Sequence, residues 1–518
     1  MNVDEVETII KKSTSATCKL DPMPTSLVKK CTLELVPYIT KIINKSFDEG
    51  TFPESCKKAT VFPLLKGSKL DPEDLKNYRP VANLSFLGKT IERAAVLQIQ
   101  NYLSDNDLQS PIQSAYRPFH SCETALLKVS NDIHSSLDKG YETILVLLDF
   151  SSAFDTIRHD VLLQRLKIRF GITGLAYKWF ESYLMHRQQR VVIDGSESSV
   201  HVPNLGVPQG SVVGPMLFTM YSSPLCDIIA SNGMSGMCYA DDTQVYVSFK
   251  PCDLHVAISQ VEKCVKEIKQ WSVANGLKLN DEKTEILHLS SRFRRRMQFP
   301  VIKIDDTSIV PSRNARNLGV IFDENMILNK FVLAKCKSAS FALCKLGRIR
   351  QVLDAKTTKK LVQALVTCHL DYCNSLLFNL PDSQLNKLQV IQNSAARLIT
   401  RTKKHSHITP VLKRLHWLPI QSRVMFKVLL LTYQCLHAMA PKYLSECLMK
   451  YIPSRNLRSA QKDLLQCPSI QTRFYGERSF AHAAPSLWNI IPSYLKNSST
   501  TAKFKSNLKT YLFKKYFE

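Results

Sequence analysis

The chain has 518 residues, too many for one compact core, and a length-based prior gives about three domains. Lys and Arg number 69 against 44 acids, a formal net charge of +25, while 44% of residues are apolar. This balance excludes a disordered chain and favours a polyanionic partner, although basic charge alone also fits a protein of anionic membrane surfaces. No run of about 20 apolar residues is present, and the opening MNVDEVETIIKKS lacks the apolar core of a signal peptide. A soluble intracellular protein is expected, in the nucleus or the cytoplasm, with no membrane partner. The 15 cysteines form no CxxC pair, which argues against a zinc ribbon or a redox motif and reads as mainly reduced core residues.

In chain order, Leu33, Leu35, Val36, Ile39, Ile42 and Ile43 recur at helical spacing and predict a helical segment over residues 1–46. Ile144 to Leu148 is a continuous apolar run, suited to a strand buried on both faces, and Asp149 stands at its exit. A glycine-rich bend follows in GVPQGSVVGPMLF (Gly206–Phe218). Met237–Ala240 and Val245–Val247 then read as short strands around Asp241 and Asp242, which places both acids at a hairpin tip. From residue 324 to about 400 strand signals give way to helical stripes, among them Leu361, Leu365, Leu385, Leu388 and Ile391. Residues 401–518 contain further helices and end in TAKFKSNLKTYLFKKYF. There Phe504, Leu508, Tyr511 and Leu512 alternate with Lys503, Lys505, Lys509, Lys514 and Lys515, either as a docked helix with a solvated basic face or as a nucleic-acid contact. Cys368, His369 and Cys373 in CHLDYC lack a second ligand pair and read as a packed helix face.

Each acidic segment alone is ordinary turn chemistry. Together, acids at two strand ends with a Gly-Pro-Gln-Gly segment between them have the layout of a template-directed nucleotide polymerase. Phosphoryl transfer asks little covalent chemistry of a protein, but it needs divalent ions held by oxygen ligands. Asp149, Asp241 and Asp242 meet that need without Cys or His.

LDFSSAFDTIRHDVLLQRL, GVPQGSVVGPMLF and YADD resemble motifs A, B and C of reverse transcriptases, in wording close to non-LTR retrotransposons of the jockey and CR1 kind. NYRPVANLSFLGKTIERA (Asn77–Ala94) and QSAYRPFHSCETAL (Gln113–Leu126) resemble the fingers motifs; WSVANGLKLNDEKTEIL (Trp271–Leu287) resembles motif D, and NLGVIFD (Asn317–Asp323) the primer grip. The resemblance implies an α+β right-hand polymerase. Residues 1–46 would be an N-terminal extension, 47–323 fingers and palm with an antiparallel sheet, 324–400 a helical thumb, and 401–518 a helical basic C-terminal domain. It implies an RNA-directed DNA polymerase that uses an RNA template, a DNA primer or target and deoxynucleoside triphosphates, with Mg²⁺ or Mn²⁺ on Asp149, Asp241 and Asp242. Nothing resembling an upstream endonuclease is present, so a truncated copy is expected, with the nick supplied in trans.

By the same resemblance Arg117 would hold the triphosphate, where a planar guanidinium engages two phosphate oxygens, with Arg79 and Lys89 as second candidates. Pro208, Gln209 and Gly210 would pack against nucleotide and template, the glycines admitting a base or sugar close to the chain. Phe154, five residues past Asp149, occupies the place of the gate that blocks a ribose 2′-hydroxyl, whereas an RNA-directed RNA polymerase would show an acid near there. Its other reading is a core aromatic at the start of a helix. Lys283 in NDEKTEI matches the lysine that protonates leaving pyrophosphate and also reads as a surface lysine. Arg292–Arg296, RFRRR, is a basic loop for nucleic acid or nuclear import, or solvated charge. The rivals are an inactive or domesticated nucleic-acid-binding remnant and a group II intron maturase; no intron-binding or HNH-type segment follows the thumb.

Overall fold

The computed structural model describes residues 1–16, 18–151, 153–294, 299–305, 307–452 and 463–518, so Arg295 and Arg296 of the basic loop lie outside the described residues. Ten strands matter for the site: β1 (Lys58–Leu65), β2 (Tyr78–Leu84), β3 (Glu142–Leu148), β4 (Phe150–Ser151), β5 (Gln188–Ile193), β6 (Ser196–Glu197), β7 (Ser235–Tyr239), β8 (Asp242–Phe249), β9 (Lys278–Leu279) and β10 (Glu285–Leu289). The chain divides into two compact units. The first is Met1–Tyr116, Asp149–Ser231 and Lys266–Asn280; the second is Arg117–Leu148, Asn232–Val265 and Asp281–Glu518.

In the first unit the sheet order is β2-β1-β5-β6, with β1 antiparallel to β2 and parallel to β5. Among the described residues three α-helices precede it, Val3–Lys12, Thr25–Lys30 and Thr32–Asp48, the first closed by a reciprocal Asn2–Glu5 capping box. The expected apolar face of the third is displaced. Thr32, Val36, Thr40, Ile43 and Ser46 turn inward, whereas Leu33 is 73% exposed and Ile42 faces outward. The two threonines can be buried because backbone carbonyls satisfy their hydroxyls: Thr40 Oγ1 donates to the Val36 carbonyl of its own helix at 2.7 Å, and Thr32 Oγ1 to the Lys29 carbonyl of the preceding helix at 2.8 Å.

In the second unit the sheet order is β10-β3-β8-β7, antiparallel throughout. The central strand β3 is buried as its apolar run predicts, with Ile144, Leu145 and Val146 at 0% exposure. The Cys122–Asp138 helix crosses this sheet in a fixed direction, since Ser136 Oγ bonds Ser248 Oγ at 2.9 Å and Asp132 accepts from Tyr246 Oη at 2.6 Å. Moving toward the helix N-terminus therefore moves toward the start of β8.

Beyond the sheet come the hairpin of Asn314–Asn317 with Val320–Asp323 and then helices, including Asn329–Ile349, Asp382–Thr400, Ile420–Leu436, Phe480–Ile490 and Thr501–Phe517. Helices after residue 324 and an antiparallel acid-bearing sheet agree with the expected α+β class. A π-helical stretch, Gln363–Thr367, shifts the expected stripe. Its wider turn brings Val362, Val366 and Leu370 inward four residues apart and leaves Leu365 46% exposed. One apolar cluster runs from the Cys122–Asp138 helix to the last helix, where Phe504, Leu508 and Leu512 are buried. All five lysines of that last helix are exposed. The described cysteines form no disulfide, and fewer are core residues than expected: six are buried, while Cys252, Cys344, Cys368 and Cys467 are exposed. Among the described residues no helix is long and apolar enough to cross a membrane.

Candidate active site

In the second unit one end of the sheet carries Asp241, Asp242 and Lys283, whereas Asp149, Phe154, the Pro208–Gly210 bend, Arg79 and Lys89 belong to the first unit. Leu148, the last residue of β3, pairs with Thr243, and the chain runs from Leu148 directly into Asp149 as it runs from Asp242 into Thr243. Tyr239 pairs with Asp242, so Ala240 and Asp241 form the tip of the hairpin and Asp242 is the first residue of β8. Ala240 carries the left-handed angle, φ +59°, which leaves the acids out of the strained position. Asp241 is half-buried and Asp242 exposed. Lys283 is exposed two residues before Glu285, which pairs with Leu147, so it belongs to the same end. Arg117, half-buried, precedes the Cys122–Asp138 helix at the N-terminus that points this way.

Asp149 opens the first unit's middle segment. It is half-buried, and its carbonyl accepts the Asn280 N–H at 2.9 Å while β4 pairs with β9 just beyond it. Phe154 lies in the turn before the His159–Ile168 helix rather than on the helix itself. One face of its ring stacks on Phe218 with centroids 5.0 Å apart, and the residue is half-buried.

The glycine-rich bend is sewn to its surroundings. Gln209 Nε2 donates to both Asp155 oxygens, at 2.8 and 2.7 Å, while the Gln209 carbonyl accepts the Ala82 N–H of β2 at 2.7 Å. Gly210 has φ +134°, and a Cβ there would collide with the Ala82 carbonyl oxygen. At Gly206, φ +80°, it would stand 2.8 Å from the Asp155 carbonyl oxygen. These close approaches are therefore to the chain's own backbone, whereas the expectation was of a base or sugar. Pro208 and Gln209 line an open cleft of about 550 Å³ together with Asp155, His159, Arg187 and Gln189. Arg79 is exposed on β2, opposite Leu64, and Lys89 is half-buried in the first turn of the Phe86–Asp105 helix.

Glu92 was not foreseen. It is 1% exposed, and its carboxylate accepts the Val212 N–H, the Val213 N–H at 3.3 Å and the Tyr183 hydroxyl at 3.3 Å. It thereby anchors the chain ahead of the Gly214–Tyr221 helix. Burial raises its pKa, opposed by the Arg187 charge and by these donors. In sequence Glu92 is one acid in a helix, indistinguishable from a solvent-facing one. Asp155 lies within motif A and had no role assigned. The walls around it push its carboxyl upward, opposed by Gln209 and Lys66. Of the basic loop, Arg292 lies over the rings of Phe293 and Phe474, and Arg294 Nη1 is 3.7 Å from Glu142. In CHLDYC, Cys373 is buried but Cys368 is exposed and donates to the Ala364 carbonyl.

Residues 65–322 match the family described as reverse transcriptase (RNA-dependent DNA polymerase). That stretch is a reverse transcriptase domain and makes up just under half of the chain. Every site residue expected from the sequence, Arg79 to Lys283, lies inside that matched span. The chain is 25% identical over 393 residues to the RNA-directed DNA polymerase from mobile element jockey of Drosophila funebris, covering 72% of this chain and 41% of that protein. It is also 25% identical over 401 residues to the probable RNA-directed DNA polymerase from transposon X-element of Drosophila melanogaster, covering 76% and 43%. The expected jockey-type kinship is borne out; the chain spans about two fifths of the length of these curated relatives. A solved structure of apo telomerase from Candida tropicalis, truncated from its C-terminal domain, is similar with a TM-score of 0.34 and 12% identity, over 54% of this chain and 58% of that one.

Proposed function

We propose that the chain is an RNA-directed DNA polymerase that adds deoxynucleotides to a primer 3′-hydroxyl on an RNA template, within target-primed reverse transcription by a non-LTR mobile element. The observation that carries this reading is the Asp241–Asp242 hairpin beside the C-terminus of β3, in a chain whose residues 65–322 match the reverse transcriptase family.

Among the described residues no three His, Cys, Asp or Glu side chains are grouped to hold a metal ion by themselves. The fit to Mg²⁺ or Mn²⁺ rests on donor chemistry: Mg²⁺ is ordinarily held by one or two carboxylates together with waters and substrate phosphates. Asp149 and Asp241 would hold such ions, with Asp242 assisting. When bound, ions of this kind activate the attacking hydroxyl and offset charge on the phosphate oxygens. The chain's own residues do the rest. Arg117 grips the triphosphate, with Arg79 and Lys89 as second candidates for that role, and the Pro208–Gly210 bend, held by Ala82 and Asp155, presents a rigid edge to nucleotide and template. Lys283 delivers a proton to the departing pyrophosphate.

The purified chain should extend a DNA primer on a homopolymer RNA template with Mg²⁺ and deoxynucleotides. RNA binding without any extension would instead identify a nucleic-acid-binding remnant. Phe154 tests the sugar choice. With one face on Phe218, its ring keeps an edge for the incoming sugar, so Phe154→Val should raise the ribonucleotide to deoxynucleotide ratio of kcat/KM by about tenfold to a hundredfold, relieving a clash rather than adding an attraction. A ratio unchanged from the parent would make Phe154 simply the partner of Phe218.

A further inference from the structure

We propose that Arg478, far along the chain in the GERSF segment, is a positioning residue for the primer terminus: it holds the Asn314–Asp323 hairpin from behind, through the Met326 carbonyl. The proposal rests on the polymerase reading above, in which the NLGVIFD hairpin grips the primer. At the tip of that hairpin the Tyr372 hydroxyl donates to the Leu318 carbonyl at 2.6 Å. At its base the chain makes a turn around a carboxylate, Asp323 accepting the N–H groups of Asn325 at 3.2 Å, Ile327 at 2.9 Å and Leu328 at 2.5 Å.

Met326 and Leu328 both have left-handed backbone angles, φ +53° and +61°. Residues with a Cβ adopt these only when the surroundings impose them. Asp323 imposes them from inside the turn, and Arg478 from outside, its Nη1 donating to the Met326 carbonyl at 2.7 Å. Arg478 is 6% exposed, with Nε and Nη2 lacking a hydrogen-bond partner among the described residues and the Phe474 ring 5.5 Å from the guanidinium. A guanidinium is an expensive choice for filling space, since burying a charge costs far more than burying an apolar side chain. Its one directed bond, to Met326, and its facing charge, Asp323, give it a reason to be there.

Arg478 is itself fixed against the catalytic sheet. Asp138 accepts the N–H groups of Gln471 at 3.0 Å and Thr472 at 2.6 Å, and Asn131 Oδ1 accepts the Ala481 N–H at 2.9 Å. The Tyr475 hydroxyl accepts the Arg292 N–H at 2.9 Å. Asp138 and Asn131 belong to the helix that crosses β8, so the segment from Gln471 to Ala481 relates the hairpin to the strand that begins at Asp242.

The test uses Arg478→Lys and Arg478→Ala in the full chain. Arg478→Lys should raise KM for primer–template about tenfold with KM for deoxynucleotide unchanged, and the amides of residues 325–328 should exchange with solvent faster than in the parent. Millimolar guanidinium ion should restore part of the primer affinity to Arg478→Ala; should that variant not fold, the lysine variant carries the test. A fall in kcat with both KM values unchanged, or amide exchange equal to the parent's, would overturn the proposal. A parent chain that extends no primer would remove the polymerase reading, while amide exchange would still decide whether Arg478 holds the turn.

Discussion

Asp241→Ala and Asp149→Ala should each abolish primer extension while RNA binding stays near that of the parent. Loss of a carboxylate that anchors divalent ions forfeits several kcal/mol of transition-state stabilisation, roughly three decades or more in rate. The polyanion is held by a different property, the net charge of +25, and the removal of one acid leaves the salt dependence of binding almost untouched. The backbone tolerates the change at Asp241, since the left-handed angle belongs to Ala240 and the pairing to Tyr239 and Asp242. Single-turnover extension alongside RNA titration at several salt concentrations reads both quantities. A variant that extends at the parental rate sinks the assignment. Asp242→Asn should be the milder lesion, because Asp242 assists rather than anchors.

Gly210→Ala is the second large effect, acting through backbone geometry alone. The new methyl would be driven into the Ala82 carbonyl, which cannot retreat because Ala82 is paired with Val61 inside the β1–β2 ladder. The bend must instead leave β2, giving up the Ala82–Gln209 bond and, with it, the Gln209 grip on Asp155. Conformational strain plus the lost bonds come to about 2–4 kcal/mol, and a displaced Gln209 should lower kcat/KM for deoxynucleotides by about two decades. Thermal melting and steady-state kinetics check the two parts separately. Parental melting with parental kinetics would mean that the bend tolerates a side chain and its glycine is incidental.

The acid-bearing elements were legible because their signals are local. A five-residue apolar run at Ile144–Leu148 forms β3, and two short strands around an Asp pair form a hairpin. What holds them was not legible, because it is remote in sequence. Glu92 meets Val212 and Val213 across 120 and 121 residues, and Gln209 meets Asp155 across 54. No periodicity encodes such a meeting. Leu365 was misplaced for another reason: a π turn breaks the 3.6-residue spacing from which a stripe is read. At Thr32 and Thr40 the misreading was chemical, since a threonine whose hydroxyl donates to a nearby helix carbonyl is as easily buried as an aliphatic residue.

The bond between Asn131 and Ala481 spans 350 residues. At synthesis rates of about 5–20 residues per second, the Cys122–Asp138 helix waits roughly 20–70 s on the ribosome for the segment that closes over it. During that interval Asn131 Oδ1 and the Asp138 carboxylate lack the Ala481, Gln471 and Thr472 N–H groups that they accept from in the finished chain. The sheet that bears Asp241 and Asp242 is thus completed late: its unit closes only once the GERSF segment has left the exit tunnel, and a nascent chain stopped short of that segment has these two acids but no closed unit to carry them.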